Sequence, residues 1–121
     1  MTEVMPQEIE VWDILPAIRR ELAKILIQEH KLSQRDAARM LGLTDPAVSQ
    51  YIKSKRAKGL VFGDKVLSKI KSSARQIVKD KSKLMEEIQK ICNSMEVKKI
   101  VCNIHRIRNK GVPRTCKACL Q

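Results

Sequence analysis

The stretch from Leu32 to Lys53 leaves a folding chain few choices. Ser33 stands where a helix N-cap is wanted, with Asp36 three residues on in a capping-box-like place. The small and apolar positions Ala37, Ala38 and Leu41 then recur at helical spacing until Gly42. A serine oxygen takes up an orphan amide of a first turn, and glycine accepts the left-handed backbone that ends a helix. Thr44 repeats the start signal, and Pro46 suits a first turn because its missing N–H costs nothing there. Val48, Tyr51 and Ile52 mark the inner face of this second helix. Ala38 is small enough to let the two helices cross closely, while Ala37, Leu41, Leu43, Val48 and Tyr51 are placed to meet across the crossing.

The flanks are helical as well. From Pro16, at a first turn, Ile18, Leu22, Ile25 and Leu26 recur at three- and four-residue steps to about Gln28. Trp12, just upstream, is expected to plug a packing gap, and His30 to sit at the helix C-terminus as a dipole partner. The run Lys53-Ser54-Lys55-Arg56-Ala57-Lys58-Gly59 ends the second short helix. Past Gly63, Asp64 can cap a longer segment in which Leu67, Ile70, Ala74, Ile77, Lys81, Leu84, Ile88, Ile91 and Met95 form a heptad-like seam. That seam fits a helical hairpin or a dimer contact. It equally fits packing onto the chain's own N-terminal helices, and a break near Asp80 would split it. The expected fold class is all-α: a DNA-binding unit at 8–62, a helical segment at 63–98 that is a candidate for dimerisation, and a Cys-rich tail at 99–121.

Charge narrows the partner. The 121 residues carry a formal net charge of +12. Residues 1–62 hold 10 basic and 8 acidic groups, whereas residues 63–121 hold 15 and 5. Such a basic half favours a polyanion through phosphate neutralisation and counterion release; the bland alternative is a solvated, Lys-rich helical surface. No apolar run approaches the ~20 residues that cross a membrane, and the acidic start Met1–Glu8 lacks the apolar core of a secretion signal, so a cytoplasmic location is expected. No paired carboxylates, histidine dyad or phosphate-cradling glycine loop points to catalysis, so no enzyme is expected.

The crossing helices form a helix-turn-helix, and its geometry assigns roles. Such a motif lays the N-terminal half of its second helix against base edges in the major groove. Thr44, Asp45, Ala47, Ser49, Gln50 and Lys53 are the expected outward positions. Gln50 can pair bidentately with adenine N6 and N7, and Ala47 can touch a thymine methyl. Asp45 repels phosphate, so a role in capping the helix suits it better than accepting from cytosine. Ser33, Gln34 and Arg35 are placed to hold backbone phosphates, with Lys53, Lys55, Arg56 and Lys58 adding charge on the neighbouring strand.

Leu15-Pro16-Ala17-Ile18-Arg19, Leu32-Ser33-Gln34, Ala47-Val48-Ser49-Gln50-Tyr51 and Lys55-Arg56 together resemble archaeal helix-turn-helix regulators of the XRE-like type. The module is also similar to the DNA-binding part of archaeal thiamine-biosynthesis regulators, whose extra ligand domain this chain is expected to lack. The resemblance covers about residues 8–60 and continues more loosely into the cysteine-bearing tail. It implies a transcription factor, a repressor, binding duplex DNA as a homodimer. Asp45 and Pro46 depart from the Gln and Ala usual at those places.

The tail carries its own chemistry. Cys102-Asn103-Ile104-His105 and Cys116-Lys117-Ala118-Cys119 are two-residue-spaced pairs, separated by a segment in which Gly111-Val112-Pro113 supplies a turn. Each pair can reach one ion from a tight turn, and two pairs complete a tetrahedron, so zinc on Cys102, His105, Cys116 and Cys119 is one natural reading. Thiolate ligation of an iron–sulfur cluster by Cys92, Cys102, Cys116 and Cys119 is the second, and free or redox-switching thiols the third. The expected function is therefore a sequence-specific DNA-binding regulator with a structural or sensory metal site. A zinc-stabilised protein-interaction module in a larger nucleic-acid complex is the alternative.

Overall fold

The computed structural model describes residues 5–53 and 60–108. Among them every regular element is helical, which bears out the all-α expectation: α1 (Pro6–Ile9), a π-helical turn (Glu10–Ile14), α2 (Leu15–Gln28), α3 (Gln34–Leu41), α4 (Asp45–Ile52), α5 (Asp64–Lys79), a 3-10 turn (Lys81–Lys83), α6 (Leu84–Cys92) and α7 (Met95–Arg108).

The first three elements follow one another without leaving helical backbone, so Pro16 lies inside a longer helix rather than near its beginning. A proline ring crowds the carbonyl four residues back, here that of Trp12, and offers no amide to it. The wider π turn just ahead of Pro16 opens the hydrogen-bond ladder at that point. It also sets the phase of the buried stripe. Ile9 and Ile14, five residues apart, are both fully buried, and Ile18, Leu22 and Leu26 continue the stripe at four-residue steps. Trp12 falls on the other side and is 56% exposed, with Val11 exposed beside it. The expectation that Trp12 plugs the core is thus corrected.

A single apolar core joins the elements, from Ile9 and Leu26 through Ala37, Val48, Phe62 and Ile77 to Ile91 and Val101. Segments 8–62 and 63–98 therefore share one core, and α7 continues past residue 98 into the expected tail. α2 is the hub, packing against α3, α4 and α5. Arg20 ties it to the chain that precedes α5. Its guanidinium is buried, one Nη donating to the Leu60 carbonyl at 2.6 Å and Nε to Glu21 Oε1 at 3.1 Å.

The seam of residues 67–95 is split as the Asp80 alternative allowed. Asp80 is extended (φ −151°, ψ 103°) and its Oδ1 accepts from both the amide and the hydroxyl of Ser82, which turns the chain into α6. α5 and α6 then pack as a hairpin. Ile70, Ala74, Ile77 and Ile91 are buried in the protomer's own core, while Lys81 is exposed. Of the two coverings the pattern left open, self-packing accounts for these four residues, while Leu67, Leu84 and Ile88 are half-buried and Met95 is exposed. The start of α5 differs too: Gly63 is the N-cap and makes no side-chain cap bond, whereas Asp64 is the first helical residue, its carboxylate at the positive end of the helix.

Two buried groups in the hairpin and beside it carry electrostatic consequences. Burial disfavours the Glu87 carboxylate, yet hydrogen bonds from Lys90 and Ser73 outweigh it and hold its pKa below the usual value. Lys90 Nζ lies 3.0 Å from Glu87 Oε2. Cys92 is the opposite case: burial, reinforced by Glu10, pushes its thiol up to about 11. The folded chain holds that proton while an unfolded thiol, nearer 9.0, releases it, so Cys92 favours folding below pH 9 and progressively less as pH rises towards 11. Alkylation of Cys92 by iodoacetamide at pH 8, read by peptide mapping, is expected to be far slower in the native protein than in urea. Equal rates would contradict its burial.

Candidate nucleic-acid interface

The local signals around α3 and α4 act as their chemistry requires. Ser33 Oγ accepts from the Asp36 amide at 3.1 Å and Thr44 Oγ1 from the Ala47 amide at 3.2 Å, so both helices begin on side-chain caps. Gly42 ends α3 at φ +64°, ψ +31°. The Leu43 amide reaches back to the Ala38 carbonyl at 2.9 Å and the Gly42 amide to Arg39 at 3.4 Å. This pair of bonds is the Schellman arrangement, and Leu43 packs onto the core beside it. The turn is thereby closed from both sides, which sets the angle between α3 and α4.

With that angle set, α4 divides cleanly. Val48 and Tyr51 are buried, Ser49 and Gln50 half-buried, and Thr44, Asp45 and Lys53 exposed. Ala47 is only 5% exposed. Its expected contact with a thymine methyl is corrected, because one helical step from Val48 keeps it on the inner face. Pro46 is exposed in its place and was missed by the sequence reading. Taking the helical phase from Val48 and Tyr51, rather than from the start of the helix, would have found it.

Ser33, Gln34 and Arg35 are exposed at the start of α3, and Arg39 is exposed one turn further on. Arg35 Nε lies 4.0 Å from Asp45 Oδ2, both side chains well exposed. Asp45 thus faces a cation of the neighbouring helix, an exposed pair that water screens and that contributes little to stability. Lys55, Arg56 and Lys58 lie outside the described residues.

Residues 22–61 match the family model described as helix-turn-helix. The matched span takes in the second half of α2, all of α3 and α4, and Leu60, the residue held by Arg20. No curated protein and no solved structure gives a significant match to the chain. Among the described residues no helix is long and apolar enough to cross a membrane.

The described metal candidates, Cys92, Cys102 and His105, lie in α6 and α7, outside the α3–α4 unit. Cys92 ends α6 and Cys102 lies in α7; both are buried, and among the described residues neither is in a disulfide. His105, half-buried, follows one turn along α7. Cys102 and His105 are therefore held by a regular helix, not by the tight turn that their spacing suggested. Residues three apart on a helix still share a face. Cys116 and Cys119, with Gly111, Val112 and Pro113, lie outside the described residues, and among those described no group of three or more potential ligands comes together.

Proposed function

We propose that this chain is a transcription regulator that reads duplex DNA through α4, binding as a homodimer and acting as a repressor. The observation that carries the reading is the two-capped, Schellman-closed α3–α4 unit with a polar exposed face, in a span that matches the helix-turn-helix family. Thr44, Asp45, Pro46, Ser49, Gln50 and Lys53 form the base-reading side. Ser33, Gln34 and Arg35 grip the phosphates, and Lys55 and Arg56 add charge. Val11 and Trp12, both more than half exposed, offer apolar surface for a second copy to cover. Selection from a random duplex library tests the whole proposal. The expected result is an enriched site made of two half-sites about one helical turn apart, as a two-fold dimer requires, and lower transcription from a promoter that contains it. Recovery of no sequence above background, with tight protein–protein association instead, would favour the interaction-module reading.

The proposal extends to the tail. Cys102, His105, Cys116 and Cys119 would hold zinc, or Cys92, Cys102, Cys116 and Cys119 an iron–sulfur cluster, with the two-residue spacing of the pairs as its support. Protein purified without oxygen is expected to contain a metal. About one zinc per chain without colour selects the first set, brown absorbance with iron and sulfide selects the second, and neither leaves the thiols free.

A further inference from the structure

Two helices of the same hairpin treat their surface charge differently. On α6, Lys90 is paired with exposed Glu86 and with buried Glu87, each about one turn away, so its charge is answered within its own helix. On α5, Lys65, Lys71, Arg75 and Lys79 are all exposed, and among the described residues none of them has an ion-pair or hydrogen-bond partner. At 3.6 residues per turn these four fall within an arc of about 120°, opposite the buried stripe Val66, Ile70, Ala74 and Ile77. Lys71, Arg75 and Lys79 repeat every four residues, a spacing at which like charges repel and destabilise the helix. Ser68 and Ser72 are exposed within the same arc. Asp64 is the one acid of α5 and occupies the first turn; Asp80 lies past the end with its carboxylate taken by Ser82.

A helix that keeps a row of mutually repelling cations, interleaved with hydroxyls and without acids beyond its first turn, is built to meet anions in a row. We propose that the outer face of α5 is a second DNA-contacting surface, one that binds the phosphate backbone without reading bases. The inference rests on the DNA-binding reading above. From Lys65 to Lys79 the face is about 21 Å long, and a duplex presents about 12 phosphate charges over that length. Lysine and arginine neutralise these charges, and Ser68 and Ser72 hydroxyls donate to phosphate oxygens. α5 packs against α2, as α3 and α4 do, so the same core element carries both surfaces.

The test is the salt dependence of binding by the full chain. The triple variant Lys71→Gln, Arg75→Gln, Lys79→Gln removes three exposed cations from the face; a control, Lys24→Gln, Lys99→Gln, Arg106→Gln, removes the same charge elsewhere. Circular dichroism checks that both remain helical. Affinity for a random-sequence 25-base-pair duplex is measured from 50 to 300 mM NaCl. The α5 variant is expected to lower the slope of log K against log salt by about 2–3, at ~0.9 per phosphate contact, with the control closer to wild type. An unchanged slope, or an equal loss in the control, overturns the α5 surface while leaving the DNA-binding reading standing. Wild-type protein that binds no duplex at any salt overturns both. A slope that drops on single-stranded RNA and not on duplex overturns the assignment to DNA.

Discussion

Leu22→Ala is expected to lower the unfolding free energy by about 2–5 kcal/mol, the cost of a fully buried leucine replaced without collapse of the cavity. Leu22 is completely buried in α2, the element against which α3, α4 and α5 all pack. At about 0.05–0.15 kcal/mol per residue, 121 residues hold about 6–18 kcal/mol in all, so this one change takes a large fraction of it. Urea unfolding followed by helical circular dichroism should show a lower midpoint with an unchanged slope. Because one core joins the helix-turn-helix to α5, α6 and α7, the transition should stay a single step. A midpoint shift worth less than about 1 kcal/mol, or two separate transitions, would contradict α2 as the shared hub.

Gln50→Ala is expected to weaken binding to the selected site by about 5- to 150-fold, the ~1–3 kcal/mol by which one bidentate base contact discriminates. Binding to random duplex should barely change, since glutamine carries no charge to neutralise phosphate. Arg35→Ala should act in the opposite way. It removes an exposed cation at the start of α3, so it should weaken specific and random duplexes alike and reduce the salt slope by about 0.9. Its effect is moderated by Asp45, whose carboxylate already lies 4.0 Å away. Titrating both variants on both duplexes by fluorescence anisotropy separates the roles. Equal losses on specific and random DNA in both variants would place base reading somewhere other than α4.

What the residues announced correctly are the features whose causes act over one helical turn. The Ser33 and Thr44 caps, the Gly42 stop, Pro46 in a first turn and the small Ala38 at the crossing need only their neighbours, so α3, α4 and the exposed ends of the candidate interface were legible before any packing was known. The break at Asp80 was legible for the same reason, since its carboxylate caps a turn two residues away. Phase was legible only in part: Val48 and Tyr51 marked the inner face of α4, but not how far that face extends. A π turn ahead of Pro16 shifts the buried stripe and turns Trp12 outward, and the inner face of α4 takes in Ala47, because which side of a helix is buried depends on what lies against it. The ownership of the 67–95 seam could not be read: apolar spacing states that a face must be covered, but only the hairpin and α2 decide that the same chain covers Ile70, Ala74, Ile77 and Ile91. The bond from Arg20 to Leu60 spans forty residues of sequence, and no pattern along the chain points to it. Capping, turn and charge pattern belong to the local chemistry of the chain; phase, partner and burial belong to the tertiary structure, because they are properties of two surfaces and not of one.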